Sequence, residues 1–373
     1  MHILFVCPEL RDRGGNFLVS ELAHRLPKYG WKVTVATLVA EGDPVIRSGS
    51  ESLWKNISIL PINIPAEKGT LAYVSESILC TNKFLQNFKA DIYVADGGLP
   101  PLGLRISNQQ PALIFNQGLQ DCTKIDEQLP NHDEQSIRTI DKILRSIGLL
   151  TNIPIVTVSN PHKEKLNNLY GKLNINVIEP GIATPFFNVM KENFKLSSPV
   201  IVATSGANLV DKGKGFGFLC QSLNLLFQSG VNFILRIHST EFKPDMFDMR
   251  FPFELVPAAS PDHLARELCK ADIYVNASVY ETFCLSIAEA LAVGLPSVVT
   301  NSTGPKTYLN GDNNICVEER SPAVFSLAIK RLLEMNEEKR TNMGQSARKT
   351  MSVYTLENMV HKWDMLLRKV VQK

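Results

Sequence analysis

The sequence predicts an α/β protein built from two doubly wound parallel sheets that face each other across a cleft. Three observations predict this class. Short apolar runs alternate with helical patterns in both halves of the chain, which is typical of strand–helix–strand units. A stretch with proline and glycine, Pro180 to Pro185, interrupts the alternation before it starts again at Val200. The length of 373 residues is sufficient for two domains.

The first half begins with the apolar run Ile3 to Val6, which is predicted to be a buried strand. A loop over Arg11 to Gly15 follows, and then a helix over Phe17 to Lys28, whose apolar residues recur on one face. Gly30 ends this helix before a strand at Val33 to Thr37. Strand, helix and strand at this length imply a parallel pair with a right-handed crossover. Further strands are predicted at 92–95, 112–115, 155–158 and 176–178.

The second half repeats this alternation, with the domain hinge predicted between residues 185 and 198. Helices are predicted at 216–227 and 261–269, and strands at 200–204, 232–237, 253–256, 272–276 and 296–300. A last helix, Thr355 to Gln372, carries apolar residues at helical spacing along its whole length. Its expected role is packing. Contact with a membrane surface is the alternative, because Arg368, Lys369 and Lys373 lie at its end.

Composition and cysteine content restrict the possible functions of the protein and its cellular compartment. The chain is 44% hydrophobic and 20% charged with a formal net charge of +2, so it carries no signal for binding nucleic acid. Seven scattered cysteines without a C-x-x-C pair favour reduced thiols. The first residues form a short strand instead of a signal peptide, and no apolar run approaches the roughly 20 residues that span a bilayer. A cytoplasmic protein is predicted.

The most informative segment runs from Ser278 to Gly294. Glu281 precedes a short apolar helix, and Glu289 lies inside it. A carboxylate in an apolar helix is costly unless a partner takes its hydrogen bonds, and the start of a helix suits a phosphate. Strands flank the segment, so it occupies a loop position where open α/β sheets bind ligands. The combination fits a sugar nucleotide. The alternative is a helix-capping Glu281 and a solvated Glu289.

This segment resembles the E-x7-E region of the group 1 (family 4) retaining glycosyltransferases of the GT-B fold. The resemblance implies that Glu281 contacts the donor sugar and Glu289 the ribose hydroxyls, with Phe283, Cys284 and Leu285 as further donor-binding residues. Relatives usually carry Glu-Gly-Phe-Gly-Leu, so both glycines are replaced here. It also implies two Rossmann-like domains. These are an acceptor domain over 1–185, joined by the C-terminal helix at about 355–373, and a nucleotide-sugar donor domain over 198–354.

Two further loops extend the resemblance. Gly14 and Gly15 follow the first strand and resemble the family's loop over the donor phosphates, although a Gly pair can also form a plain turn. The loop from Ser205 to Phe216 resembles the one that brings an Arg and a Lys-Gly pair to the diphosphate. Its best match is Lys214-Gly215, with Lys212 as the alternate, and no Arg stands at the expected place. The resemblance also implies that the base of the donor nucleotide lies beside Val256. The glycines that begin in the lysine loop have the spacing G-x-G-x-G, which does not favour a nicotinamide site.

Other polar residues lie at predicted strand ends. Gln117 and its neighbour Asn116 stand where relatives present a polar side chain to the acceptor, so Gln117 joins Glu281 and Lys214 as a catalytic candidate. The alternative is a polar strand end. His238 stands where a Gly is usual, and both it and His162 are interpreted as structural histidines. Ser159 is expected to be structural as well, and Thr307 stands where relatives often carry a Glu.

The resemblance implies a transferase that moves a sugar from a nucleotide-diphosphate sugar to a glycan, lipid or other acceptor with retention of configuration. No cofactor is expected. No Asp-x-Asp motif occurs, so a metal is not expected and Lys and helix amides are assigned to the leaving diphosphate. The partners expected are the nucleotide sugar, the acceptor and, peripherally, the inner membrane face. Two alternatives stay open: another GT-B enzyme such as a sugar-nucleotide epimerase or a phosphorylase, and a non-catalytic binding subunit.

Overall fold

The chain divides into two compact units. The computed structural model describes residues 1–11, 14–118, 132–239, 242–257 and 260–372, with the backbone alone at 132–134. The first unit comprises Met1–Glu179 and Met359–Lys373, and the second comprises Pro180–Asn358. The division between the units therefore falls at the start of the Pro-Gly stretch, several residues before the hinge predicted between 185 and 198.

The first unit is a seven-stranded parallel sheet with the strand order β3-β2-β1-β4-β5-β6-β7. Its strands are β1 (His2–Cys7), β2 (Lys32–Ala40), β3 (Ser58–Ile64), β4 (Ile92–Asp96), β5 (Ala112–Asn116), β6 (Ile155–Thr157) and β7 (Ile175–Val177). Its helices before the C-terminal segment are α1 (Gly15–Arg25), α2 (Leu71–Asn87), α3 (Pro100–Ser107), α4 (His132–Leu149) and α5 (Asn160–Tyr170). The predicted parallel α/β class is confirmed for this unit.

Two details of the first unit differ from the sequence prediction. The helix predicted from Phe17 to Lys28 ends earlier, at Arg25, and a short 3-10 helix over Leu26–Tyr29 follows it. Pro27 lacks the N–H that a continuing α-helix needs at this point, and Gly30 then turns the chain at φ 85°. Strand β3 was not predicted, because Pro61 interrupts its pattern. A proline is tolerated there since β3 is an edge strand.

The second unit is a six-stranded parallel sheet with the strand order β10-β9-β8-β11-β12-β13. Its strands are β8 (Val200–Ser205), β9 (Phe233–His238), β10 (Phe253–Val256), β11 (Ile273–Asn276), β12 (Ser297–Thr300) and β13 (Ile315–Val317). Its helices are α6 (Pro185–Asn188), α7 (Phe216–Gln228), α8 (Pro261–Lys270), α9 (Leu285–Ala292), α10 (Pro322–Glu334) and α11 (Glu337–Met351). Both doubly wound sheets of the prediction are therefore present.

The two faces of the second sheet are covered by different helices. Leu235 and Ile237 of β9 and Val275 of β11 belong to one core cluster with residues of α7 and α10. Helices α8 and α9 connect strands in the opposite direction along the sheet, so right-handed crossovers put them on the other face. Because side chains alternate along a strand, the last residues of β9 and β11, His238 and Asn276, point to the α8/α9 face.

The C-terminal helix α12 (Leu356–Val371) packs on the first unit, to which its residues from Met359 onward belong. Trp363 is fully buried, with its ring 6.4 Å from Phe5 and 4.9 Å from Phe115. The indole N–H of Trp31 donates a 2.7 Å hydrogen bond to Asp364. The packing role predicted for the apolar stripe is confirmed. Of the helices in the described part of the chain, none is both long and apolar enough to cross a membrane.

Candidate functional site

The central feature of the second unit is an ion pair between Lys214 and Glu281. Lys214 Nζ lies 2.8 Å from Glu281 Oε1, although the two residues are 67 positions apart in the sequence. Burial lowers the pKa of Lys214, but the charge of Glu281 and the hydrogen bond to it act in the other direction, and the net pKa is raised. Lys214 therefore stays charged at neutral pH. This lysine is the best sequence match to the family's Lys-Gly pair, and in the structure it contacts Glu281, the first acid of the motif.

The loop that carries Lys214 is held in place by hydrogen bonds that its backbone groups make. A short 3-10 helix over Lys212–Lys214 is capped by Asp211, whose side chain accepts from the N–H of Gly213. The carbonyl of Gly213 in turn accepts a 2.8 Å hydrogen bond from the N–H of Val279 in the Glu281 loop. Gly215 adopts φ 64°, and a Cβ there would overlap the carbonyl oxygen of Ala277. Only glycine allows the two loops to approach this closely.

Replacing Gly215 with alanine is expected to destabilise the protein by about 2–4 kcal/mol, since the left-handed conformation and the overlap with Ala277 each carry a cost. Gly217 offers the matched control, because a Cβ there meets nothing within 4 Å. Its replacement by alanine should be neutral or stabilising by up to about 1 kcal/mol. Urea unfolding of both variants gives the two free energies. Equal stabilities would contradict the close approach inferred at Gly215.

Cys284 occupies the position before α9 in a left-handed conformation, with φ 66°. The resemblance implies glycine at this position and at one other, and the positive φ shows that position 284 is the one that needs the freedom of glycine. The other, Thr282, is not among the described non-glycine residues with positive φ. Burial, followed by the charge of Glu281, raises the pKa of the Cys284 thiol to about 12, so the thiol is neutral. The N-cap residue Cys284 makes no side-chain capping hydrogen bond among the described residues, so amides at the start of α9 are candidates for a ligand.

Glu289 lies inside α9 with its carboxyl in apolar surroundings. Burial raises the pKa of Glu289 to about 8, so the group is largely protonated at pH 7. Among the described residues, none shares a hydrogen bond with this carboxyl group. A half-buried carboxyl that lacks an internal partner gains most from a ligand that supplies hydroxyl groups.

The side chain of Phe283, a predicted donor-binding residue, belongs to the core of the second unit. It is 2% exposed and packs against the rings of Tyr308 and Tyr354. Tyr308 also donates hydrogen bonds to the carbonyls of Phe283 and Cys284, at 2.8 and 3.0 Å. The aromatic cluster therefore holds the backbone that connects Glu281 to α9. The remaining predicted donor residues, Leu285 and Val256, are both partly exposed, at the start of α9 and the end of β10.

The first unit has its own group of polar residues at the ends of β4 and β5. Gln117 Nε2 donates to Asp96 Oδ1 at 2.7 Å and to the carbonyl of Gly15 at 3.2 Å. A Cβ at Gly15 would lie 2.6 Å from the Gln117 side chain, and Gly14 adopts φ 56°. The structure thus brings Gly15 and Gln117, both predicted, into contact. A side chain at position 15 would displace the Gln117 amide, and the positive φ of Gly14 favours glycine there.

Asp96 was missed by the sequence analysis. It ends β4, is 4% exposed, and burial raises its pKa to about 7 despite the hydrogen bond from Gln117. Such a carboxyl group exchanges protons near neutral pH, as acid–base groups do. The available signal was an acid directly after a buried strand and directly before Gly97-Gly98.

The side chain of Asn116, by contrast, is hydrogen-bonded within the protein, which favours the polar strand end over the acceptor contact for this residue. Its Oδ1 lies 2.9 Å from His162 Nε2, and the two residues are almost fully buried. Burial lowers the pKa of His162 to about 4. Ser159 caps α5 by accepting from the N–H of His162. The structural roles expected of His162 and Ser159 are confirmed.

Residues 253–350, which include both acids of the motif, match the family model of glycosyl transferases group 1. The predicted group 1 resemblance is confirmed. No protein of curated function matches the chain by sequence. The motif residues Glu281 and Glu289 therefore lie in the part of the chain that carries the group 1 pattern.

Solved structures resemble the whole chain. Sucrose-phosphate synthase from Thermosynechococcus elongatus has a TM-score of 0.76 at 15% identity, with 100% of both chains covered. WaaG, a glycosyltransferase involved in lipopolysaccharide biosynthesis, has 0.76 at 15%, covering 98% of this chain and 99% of its own. HepE from Anabaena, solved with UDP and glucose, has 0.70 at 14%, with coverages of 98% and 99%. At these identities the likeness establishes the GT-B fold.

Proposed function

We propose that the protein is a retaining, metal-independent hexosyltransferase that uses a nucleoside-diphosphate sugar as donor and a glycan or lipid-linked molecule as acceptor. The Lys214–Glu281 pair beside the open first turn of α9 is the observation that carries this proposal. The donor complexes of HepE with UDP-glucose and the complex of TarM from S. aureus with UDP and a glycosidic ligand support the substrate class.

The donor half of the reaction is assigned to the second unit. As the bond between the sugar and the diphosphate breaks, negative charge develops on the leaving diphosphate. Lys214 and the free amides of α9 stabilise that charge, and such preorganised donors are a main source of rate enhancement. Glu281, which orients Lys214, contacts the hydroxyls of the transferred sugar. Glu289 binds the ribose hydroxyls, for which its carboxyl has no competing internal partner among the described residues.

The acceptor half is assigned to the first unit. Asp96 and Gln117, which share a 2.7 Å hydrogen bond, bind the acceptor hydroxyl. The proposed reaction proceeds on the front face of the sugar, where the new bond from C1 to the acceptor oxygen forms as the bond to the phosphate oxygen breaks. The acceptor proton moves to that leaving phosphate oxygen, so configuration at C1 is retained. We assign the reaction to the cytoplasm, with peripheral contact at the inner membrane face for a lipid-linked acceptor.

The experiment that tests this function is calorimetry with UDP-, GDP-, ADP- and dTDP-sugars, on the wild type and on Glu289→Ala. We expect the wild type to bind one base class. In Glu289→Ala the Kd of that donor should rise about 10- to 100-fold, the effect of losing hydrogen bonds to a carboxyl group, with little change in kcat. Glu334→Ala, an exposed residue at the end of α10, is the matched control and should leave the Kd unchanged.

Outcomes of this experiment separate the alternatives. A wild type that neither binds nor slowly hydrolyses any nucleotide sugar would contradict the proposal and favour a non-catalytic binding subunit. Conversion of the bound donor into an isomeric sugar nucleotide without acceptor would favour an epimerase. NMR of the anomeric proton in the transferred product tests retention, because inversion changes its coupling constant.

A further inference from the structure

His238 presents an unusual buried imidazole at the end of β9. The residue is 1% exposed, yet within the described part of the chain neither of its ring nitrogens has a hydrogen-bond partner. Buried polar side-chain atoms are nearly always paired, and leaving one unpaired is costly. A ligand that pairs with the ring is a direct explanation for such a residue.

The position of His238 puts its ring on the face of the second sheet where α8 and α9 pack. Its neighbour in the strand, Ile237, belongs to the core cluster on the opposite face, so His238 points away from that cluster. Ser205 of β8 is its register partner, and Ser205 Oγ lies 3.1 Å from the hydroxyl of Tyr274 in β11. A row of polar side chains thus follows the carboxyl ends of β9, β8 and β11 on one face.

This edge is the one from which the Lys214 and Glu281 loops start. The N–H of Gly206, the first residue of the Lys214 loop, donates a 3.0 Å hydrogen bond to the carbonyl of His238. Val256, the last residue of β10, is the other register partner of His238. His238 therefore lies between the loop assigned to the diphosphate and the strand end predicted to lie beside the base.

The charge state of His238 limits what the ring can bind. Burial lowers its pKa to about 4, Glu267 acts against this, and Arg236 and His263 add to it. The ring is therefore neutral at pH 7 and has one donor nitrogen and one acceptor nitrogen. A neutral group of this kind suits a hydroxyl or the polar edge of a base, whereas a diphosphate is better served by a charged group such as Lys214.

We propose that His238 is a specificity-determining contact for the nucleoside part of the donor, a role that rests on the proposed donor site in this unit. The ring hydrogen-bonds a neutral group of the nucleoside and makes no contribution to the binding of the diphosphate.

The test compares His238→Leu and His238→Asn with the wild type. The probes are inorganic pyrophosphate and whichever of UDP, GDP, ADP and dTDP the wild type binds most tightly. In the Leu variant we expect the Kd of the nucleoside diphosphate to rise about 5- to 50-fold, as for an unpaired hydrogen-bonding group on the ligand, and the Kd of pyrophosphate to stay unchanged. His238→Asn keeps a donor and an acceptor and should recover part of the affinity. His361→Leu, an exposed position on α12, is the control.

Thermal unfolding without ligand separates binding from packing. Replacing an unpaired buried ring by a Leu side chain should leave the Tm of the free protein unchanged or raise it. Equal nucleoside-diphosphate affinity in the Leu variant and the wild type would overturn this inference alone, as would a parallel loss of pyrophosphate affinity. A wild type that binds none of the four nucleotides would overturn the proposed function as well. If the Leu variant does not fold, an unchanged affinity in the Asn and an added Gln variant overturns the inference.

Discussion

Glu281→Ala is expected to abolish detectable sugar transfer, a loss of about three orders of magnitude in kcat. Among the described residues, Glu281 accepts a 2.8 Å hydrogen bond from Lys214 Nζ. Its removal takes away the proposed contact with the donor sugar and leaves the ammonium group without the carboxylate that raises its pKa. The measurement is product formation by chromatography at saturating donor and acceptor.

Two further variants make this result interpretable. Glu281→Gln keeps an oxygen that can accept from Lys214 but removes the negative charge, so it should retain more activity than the alanine variant. Glu319→Ala, an exposed acid in the same unit, is the matched control and should transfer normally. Wild-type transfer by a folded Glu281→Ala protein would refute the role of Glu281 and, with it, the proposed mechanism.

Lys214→Met should lower kcat by about 10²- to 10³-fold, because one preorganised donor to the developing charge is lost. Donor affinity should fall as well, since Lys214 is proposed to bind the diphosphate in the ground state. The exposed Lys195 provides the matched control, and Lys195→Met should leave both parameters unchanged. Steady-state kinetics on the two variants, with circular dichroism to verify folding, gives the comparison.

The contact between Lys214 and Glu281 leads to a second prediction, which concerns the variant that combines Lys214→Met with Glu281→Ala. Because the two side chains are in direct contact, their losses should be non-additive, and the double variant should lose less activity than the product of the two single losses. Full additivity would indicate that the two groups act independently. If Lys212→Met were more damaging than Lys214→Met, the alternate lysine would be the diphosphate ligand, and the assignment of Lys214 would be wrong.

Much of the fold follows from local patterns. Strands such as β1 and β4 lie inside a parallel sheet and are covered on both faces, so their residues form continuous apolar runs that are recognisable in the sequence. Strand β3 was missed because an edge strand needs no such run and tolerates Pro61. The end of α1 was placed too late because helical periodicity continues through Pro27, whereas the hydrogen-bond pattern does not.

The candidate site also contains some residues that a local sequence pattern predicts and others that only the folded chain reveals. The spacing of Glu281 and Glu289 around a helix start is a local pattern, and this pattern carries the resemblance to the group 1 glycosyltransferases. Asp96 was missed because a single acid after a strand has many ordinary explanations, and its raised pKa comes from burial by residues distant in the chain. The same holds for His238, because its burial and the lack of a ring partner among the described residues appear only in the folded chain.

The amino-acid order by itself determined that the chain forms two parallel α/β sheets and that one segment joins two acids to the start of a helix, because both depend on residues close together in the chain. Only the tertiary structure decided that Lys214 meets Glu281, that Gln117 meets Asp96, and that the buried ring of His238 has no hydrogen-bond partner among the described residues. Those contacts depend on strand order and register, which bring together groups 21 and 67 positions apart in the sequence. Burial then decides which of the groups are charged.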